Sequence, residues 1–421
     1  MIKNLQFIFK EIIFYLTKGS QVYLKNHSSY SRSILLLPVF INKDDFVDQI
    51  SRLRWYVPEK YLNKKITVLI DEKLKGSVEK PIYPSAHRIM PSPDVLNNIN
   101  VEYVNNKFKV PKSDIYCIWK FSFKKHLKLL LTRPFYIRII DPYFYKYAES
   151  HTYPALLWYD IYTTSQRADL KNHSEQLFKQ FYNDNNSDKV LLFGTGPSIN
   201  SVFDKDYKNE ITIICNSIVK DDKLLEKIQP NAITFIDSVF HFGVSIYCEK
   251  FIEDVIKTVT RFGSYCFINE VGGALIYEHY PNLREKLICF PTYRIGNPNR
   301  IKPDKFKSKF YSQSVVTRIM LQLGAGLADK ILMCGFDGRS TDEDYFWKHS
   351  SSTQYDDLMQ YVWNSHPAFF SDTNYEDHYN DHCKVMERVI NKLEKKGTKI
   401  FSLEKSYIPA LSIRKYNRDH F

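Results

Sequence analysis

The segment Lys189-Val-Leu-Leu-Phe-Gly-Thr-Gly-Pro-Ser198 decides the reading of this chain, because an unbroken apolar run opens there into a loop of small residues. A parallel strand covered on both faces has no solvent side, so it reads as continuous apolar sequence, and Val190 to Phe193 is such a run. Gly194 and Gly196 let a backbone come close to a ligand or take positive φ. Pro197 and Ser198 suit the first turn of a helix, whose free N–H groups favour an anion. A plain tight turn fits the same residues. The segment lacks the third glycine of the dinucleotide fingerprint and the Gly-Lys-Ser/Thr of a P-loop, so its meaning depends on the rest of the C-terminal half.

Downstream of Ser198 the chain alternates regularly. Apolar runs at 210–215, 232–236, 265–268, 330–334 and 398–402 read as strands, and helical patterns cover 314–327 and 375–396, the second stopped by Gly397. Strands separated by helices predict a doubly wound parallel sheet. Upstream, strand-like runs at 33–41, 66–70, 115–119 and 136–140 and an amphipathic helix at 43–56 predict a second α/β domain of unclear role. The 421 residues suit two domains. The expected organisation is an amphipathic N-terminal segment at 1–32, an α/β domain at 33–175, a polar linker at 176–188 and a catalytic domain at 189–421.

Ligands of such sheets bind beyond the carboxyl ends of the strands. The polar residues there are Thr195 and Ser198, Asn216, Asp237, and Asp337 with Arg339. Each alone is an ordinary loop or cap residue; four strand ends together point to a site.

Composition narrows the class. The chain is 44% hydrophobic and 25% charged, which is globular rather than disordered, and its 30 Tyr and 29 Phe supply a large core. A net charge of +12 draws anionic partners: nucleotides, phospholipid head groups or acidic glycans. The seven cysteines are scattered and never form Cys-x-x-Cys, which argues for a reducing cytoplasm and against a disulfide framework or structural zinc. Two stretches, 4–16 and 120–133, interleave apolar with charged or basic residues. Each reads either as a helix lying on a membrane surface or as an ordinary helix with a solvated face. No nucleic-acid recognition motif is present, and the basic residues are spread out.

Residues 189–407 resemble the bacterial sialyltransferases of glycosyltransferase family 42, which use CMP-sialic acid. The likeness rests on the ordered elements Gly194 to Ser198, Cys215-Asn216, Phe235-Ile-Asp237, the helix from Ser314, Gly335-Phe-Asp337, and His378-Tyr-Asn-Asp-His-Cys-Lys384. Tyr345 stands eight residues beyond Asp337, the family's spacing for a phosphate-binding tyrosine. Three positions depart from the family pattern. Thr195 and Asp237 replace asparagines that contact the nucleotide, and Arg339 replaces a second phosphate-binding tyrosine.

The resemblance implies two Rossmann-like domains and an inverting transfer of sialic acid, Kdo, pseudaminic acid or a related 2-keto sugar acid from a CMP donor to a bacterial surface glycan, of the lipopolysaccharide or capsule. It implies His382 as the base, Tyr345 and Arg339 at the phosphate, and Ser314 near the sugar carboxylate. Gly194, Thr195, Gly196, Pro197, Ser198, Asn216, Asp237, Gly335 and Asp337 would surround the nucleotide. His378 is a second-rank candidate, as is His366, which falls in the span where the family carries a lid. A CMP leaving group needs no divalent metal, and Asp204-Lys-Asp206 and Asp342-Glu-Asp344 read as solvated loop charge, so no essential metal or other cofactor is expected. His378 and His382, at i and i+4, keep a metal pair open as a rival. The expected location is cytoplasmic, with peripheral contact to the inner membrane face. Two other classes compete: a Mg-dependent, pyrophosphokinase-like phosphate-transfer enzyme, and a non-catalytic nucleotide- or glycan-binding partner in polysaccharide assembly.

Overall fold

The computed structural model describes residues 10–13, 32–62, 65–78, 95–105, 109–146, 148–185, 187–204, 207, 209–293, 296–308, 312, 314–339, 352–371 and 374–416. The chain divides into two compact α/β units. The first comprises Met1–Asp169, Ser238–Glu249 and Leu358–Thr373, and the second comprises Leu170–Asp237, Lys250–Asp357 and Asn374–Phe421.

The first unit is built on five parallel strands: β1 Ile34–Phe40, β2 Ile66–Asp71, β3 Asn100–Val104, β4 Ile115–Ile118 and β5 Ile137–Ile139. Their order is β3-β2-β1-β4-β5. The helix Lys43–Tyr56 starts where Asn42 accepts a hydrogen bond from the Asp44 amide at 2.7 Å, and Asp44 and Asp45 sit at its positive end. Its apolar face, Phe46, Val47, Ile50 and Leu53, is buried. Strand β3 escapes the sequence reading because Asn-Val-Glu-Tyr-Val carries the polar residues of an edge strand.

Two excursions that lie far along the chain belong to this unit. Trp55 Nε1 donates to the Phe242 carbonyl, Arg52 Nη2 to the Ser365 carbonyl at 2.7 Å, and the Ala368 amide to the Pro142 carbonyl at 3.0 Å. Beneath them lies a buried ionic cluster. Arg52 pairs with Glu149 at 2.9 Å and with Asp48 at 3.0 Å, and Tyr56 Oη donates to Glu149 at 2.5 Å. Burial pushes the Glu149 carboxyl up, opposed by the Arg52 charge. Of the N-terminal segment at 1–32, residues 10–13 are helical, and Ile13 packs with Ile118, Ile137 and Ile139 rather than facing outward.

The second unit holds seven parallel strands: β6 Lys189–Phe193, β7 Ile211–Cys215, β8 Ala232–Thr234, β9 Tyr265–Asn269, β10 Leu287–Phe290, β11 Lys330–Cys334 and β12 Lys399–Ser402. Their order is β10-β9-β8-β7-β6-β11-β12. The chain thus winds outward from β6 through β10, then crosses to β11 on the other side. Two parallel-only sheets make the molecule α/β and Rossmann-like.

The expected linker at 176–188 is corrected by the structure, and so is the division into contiguous domains. Thr164–Asp184 is one helix, and the boundary between the units falls within it, at 169/170. Phe178 and Phe181 are fully buried, with Phe178 against Phe290 and Phe306 and Phe181 against Tyr265 and Phe267. Two aromatic anchors outweigh the polar composition around them, because burying a large ring offsets the exposure of short polar neighbours. Among the described residues, no helix is long and apolar enough to cross a membrane.

Candidate functional site

In an open parallel sheet, the loops diverge where the winding reverses, leaving a crevice at the carboxyl edge. In the second unit that point lies between β6 and β11, which pair with Phe193 opposite Cys334. The loops that leave them hold Gly194 to Ser198 on one side and Gly335 to Arg339 on the other. Strand β7 pairs with Phe193 opposite Ile214, so Thr195 and Asn216 each stand two residues beyond that pair. Asp237 follows β8, the next strand out. The helices that feed β11 and β12 run back across the sheet, so they begin at this same edge. Ser314 stands at the start of the first, and His378 and His382 are the fourth and eighth residues of the second, Tyr375–Glu394.

The two glycine-bearing loops are pressed together. The Gly194 amide donates to the Cys334 carbonyl at 2.8 Å and the Gly196 amide to the Gly335 carbonyl at 2.9 Å, extending the β6–β11 ladder past both strands. A Cβ on Gly194 or Gly196 would run into the Gly335 carbonyl, and one on Gly196 also into the Asp337 carboxylate. Gly335 needs its positive φ of 77° as well.

The anion at the start of the short helix Pro197–Asp204 is the protein's own. The Ser198 amide lies 3.2 Å from both Asp337 carboxylate oxygens, and Ser198 Oγ donates to Asp337 at 2.9 Å. The sequence reading of these N–H groups as free for a ligand is therefore corrected at Ser198: Asp337 takes its amide and its hydroxyl. Gly196, Ser198, Gly335 and Asp337 build the floor of the edge. The Tyr407 amide donates to the Asp337 carbonyl at 2.6 Å and Ser406 Oγ to the Phe336 carbonyl at 2.7 Å, which fixes the loop from behind.

Three further candidates belong to elements that end or begin at this edge. Asn216 takes φ 50°, a left-handed conformation that asparagine tolerates, and its buried Oδ1 has no hydrogen-bond donor among the described residues. The Arg339 guanidinium lies over the Tyr379 ring at 5.1 Å, while the Arg339 amide donates to Tyr379 Oη at 3.2 Å. Burial pushes the Tyr379 phenol up to about 12, so it stays neutral. His382, three residues on and therefore on the same helix face, is buried, and burial together with the neighbouring His378 lowers its pKa to about 4. It is a neutral imidazole at pH 7, able to accept a proton.

Thr195 is held by Thr353, whose Oγ1 donates to the Thr195 carbonyl at 3.2 Å. The sequence places Tyr379 inside the stretch 378–384 without giving it a role, and does not mark Thr353. The signal for Tyr379 was present, three residues before His382 and four before Cys383 on one helix face, while nothing local marks Thr353.

Other candidates lie elsewhere. Tyr345 falls outside the described residues, as do Asp206, Asp342 and Asp344. His366 belongs to the first unit and is fully buried, its Nδ1 3.8 Å from Glu149 Oε1 and its ring against Gly243, where a Cβ would collide with Nε2. Its surroundings are those of a core histidine in an ionic cluster, which corrects its reading as a lid residue touching a sugar. Among the described residues, no three His, Cys, Asp or Glu side chains converge as a ligand set for a metal. Six of the seven cysteines are buried thiols and Cys383 is half-buried. Compared with known proteins, the chain matches no protein-family model, no curated protein and no solved structure.

Proposed function

We propose that this chain is a metal-independent glycosyltransferase that moves an acidic 2-keto sugar from a CMP-activated donor onto an acceptor hydroxyl. The observation that carries this reading is the carboxyl edge of the seven-stranded sheet. There a glycine-built floor stands beside a buried acceptor atom, Asn216 Oδ1, a cation at Arg339, and a neutral buried imidazole at His382. Asn216 Oδ1 suits an N–H or O–H donor such as a base or ribose, and Arg339 suits a single phosphate. Ser314, at the start of its helix, suits the sugar carboxylate.

In this reading His382 takes the proton of the acceptor hydroxyl while that oxygen attacks the anomeric carbon. The bond to the phosphate oxygen breaks on the opposite face, CMP leaves with the bonding pair, and the anomeric configuration inverts. The phosphate's negative charge favours the imidazolium, raising the His382 pKa toward neutrality during the reaction. Arg339 offsets the charge that grows on the leaving phosphate. The acceptor in this reading is a bacterial surface glycan or glycolipid.

The test is a panel of CMP-, UDP- and GDP-sugars, read by thermal shift and by donor hydrolysis or transfer with excess EDTA. Stabilisation and turnover with CMP-sugars, undiminished by EDTA, support the reading, since a ligand that binds only the folded state raises the melting temperature. Binding confined to UDP- or GDP-sugars overturns the donor. Turnover that needs magnesium and a nucleoside triphosphate assigns a phosphate-transfer enzyme instead. Nucleotide binding without any turnover assigns a non-catalytic partner.

A further inference from the structure

We infer that the helix Phe123–Thr132 of the first unit is a docking surface for an anionic phospholipid bilayer. The inference stands apart from the proposed reaction and rests on how this helix divides its side chains. Its inner face is occupied: His126 is buried, and Leu129 and Leu130 pack against the cluster of Ile13, Ile118, Ile137 and Ile139. A second apolar row runs alongside on the outside. Phe123, Leu127 and Leu131 follow one another at i, i+4 and i+8, which is one stripe of a helix. They are 44%, 37% and 73% exposed, and Phe135 just beyond the helix is 54% exposed. Exposed Phe and Leu gathered along one helix stripe mark an interaction surface more often than an ordinary solvated face.

The residues around the stripe say which medium. Lys124, Lys125 and Lys128 are exposed and occupy the outer side of the same helix. Lys120 lies just before it, with its side chain 64% exposed although it pairs with Asp45 at 3.2 Å. No Asp or Glu occurs between Lys120 and Ile140, so no acidic residue of this stretch offsets Lys124, Lys125 and Lys128. Apolar residues flanked by lysines match a bilayer interface, where acyl chains take the apolar row and head-group phosphates take the ammonium groups. A second copy of the chain fits less well, because a symmetric pairing over this stripe would bring the two lysine rows together.

The experiment uses the full chain with vesicles of phosphatidylcholine alone or mixed with phosphatidylglycerol, read by co-sedimentation. Binding to the mixed vesicles is expected, with roughly a tenfold loss between 0.1 and 0.5 M salt as screening shortens the range of the lysine charges. Leu127→Ser with Leu131→Ser, and separately Lys124→Gln with Lys125→Gln and Lys128→Gln, should each weaken binding by about tenfold or more. The lysine variant should also lose the salt dependence. Hydrogen–deuterium exchange on the unaltered chain gives a reading that no variant's folding can confuse: anionic vesicles should protect 120–136. Equal binding to both vesicle types, no binding to either, or protection elsewhere overturns the inference. So does concentration-dependent dimerisation abolished by Leu131→Ser, which would assign the stripe to a second copy. None of these outcomes depends on the donor panel.

Discussion

The two sheets obey one winding rule and finish it differently. In each, the chain starts at an inner strand, winds outward and then crosses over, which leaves a reversal point between β1 and β4 in the first unit and between β6 and β11 in the second. At the first, Phe40 stacks on Trp119 at 4.3 Å with the rings 5° from parallel, and Trp119 Nε1 donates to the Pro38 carbonyl at 2.7 Å. Both rings are buried, so the crevice is plugged. At the second, glycines bring the two loops together, and the polar candidates Asn216, Arg339 and His382 come from elements that meet the same edge. The polar groups of the first unit are spent on architecture instead, in the Arg52–Glu149 pair and in Arg138, which makes a buried two-pronged contact with Asp160 at 2.8 and 2.9 Å. Topology supplies the same reversal point in both units; the residues at the strand ends decide whether aromatic rings or glycine-bearing loops fill it.

The broadest way to probe this contrast is acid, because each unit holds a buried histidine whose folded pKa lies well below the ordinary value. Burial lowers His241 to about 3 in the first unit, and burial with His378 lowers His382 to about 4 in the second. The unfolded chain binds these protons from about pH 6.5 downward while the folded chain resists until its own lower values. Stability contributed by the neutral forms is therefore full above pH 6.5 and is lost as pH falls toward 4 and 3. The loss is on the order of 3 kcal/mol for His382 and somewhat more for His241. Urea unfolding across pH 4–8 should show it, and His241→Gln and His382→Gln should each flatten the slope. An unchanged slope in either variant would remove that histidine from the account.

Trp119→Ala should cost about 3–5 kcal/mol, since it empties the plug of the first unit's crevice. Affinity for CMP or its sugars should stay as it was. A large change in nucleotide affinity would mean the plugged edge takes part in binding, and the contrast would fail.

If the proposed transfer holds, His382→Ala should lower turnover by about 10² or more, near 2.7 kcal/mol, while CMP still binds. Full activity in that variant would shift the base to another group, His378 being the neighbour on the same face. Gly196→Ala should cost about 1–3 kcal/mol, because the new methyl must displace the Asp337 carboxylate or the Gly335 carbonyl, and nucleotide affinity should fall with it. Gly397→Ala is the control: nothing lies within 4 Å, and only its φ of 90° is strained, at about 1 kcal/mol. Equal effects of the two substitutions on nucleotide affinity would say that the pressed loops do not shape the site.

Local sequence determined most of the second unit. Runs such as Val190 to Phe193 and Ile331 to Cys334 are apolar throughout because both faces of a central parallel strand are covered, and that pattern is visible without any partner. The same holds for Asn216, whose strand-end position and tolerance of positive φ belong to the residue itself. Tertiary structure alone decided three other matters. Strand β3 and the helix through Phe178 depend on neighbours distant in sequence that cover one side of a polar segment. The assignment of His366 to a core cluster depends on Glu149, more than two hundred residues away, and on the close approach of Gly243. The partner of the Ser198 amide is Asp337, 139 residues on, which only the pairing of β6 with β11 brings into reach. Periodicity records how a segment meets its immediate surroundings; it carries no record of which distant carboxylate will satisfy a given N–H, because that choice is made when the strands pair.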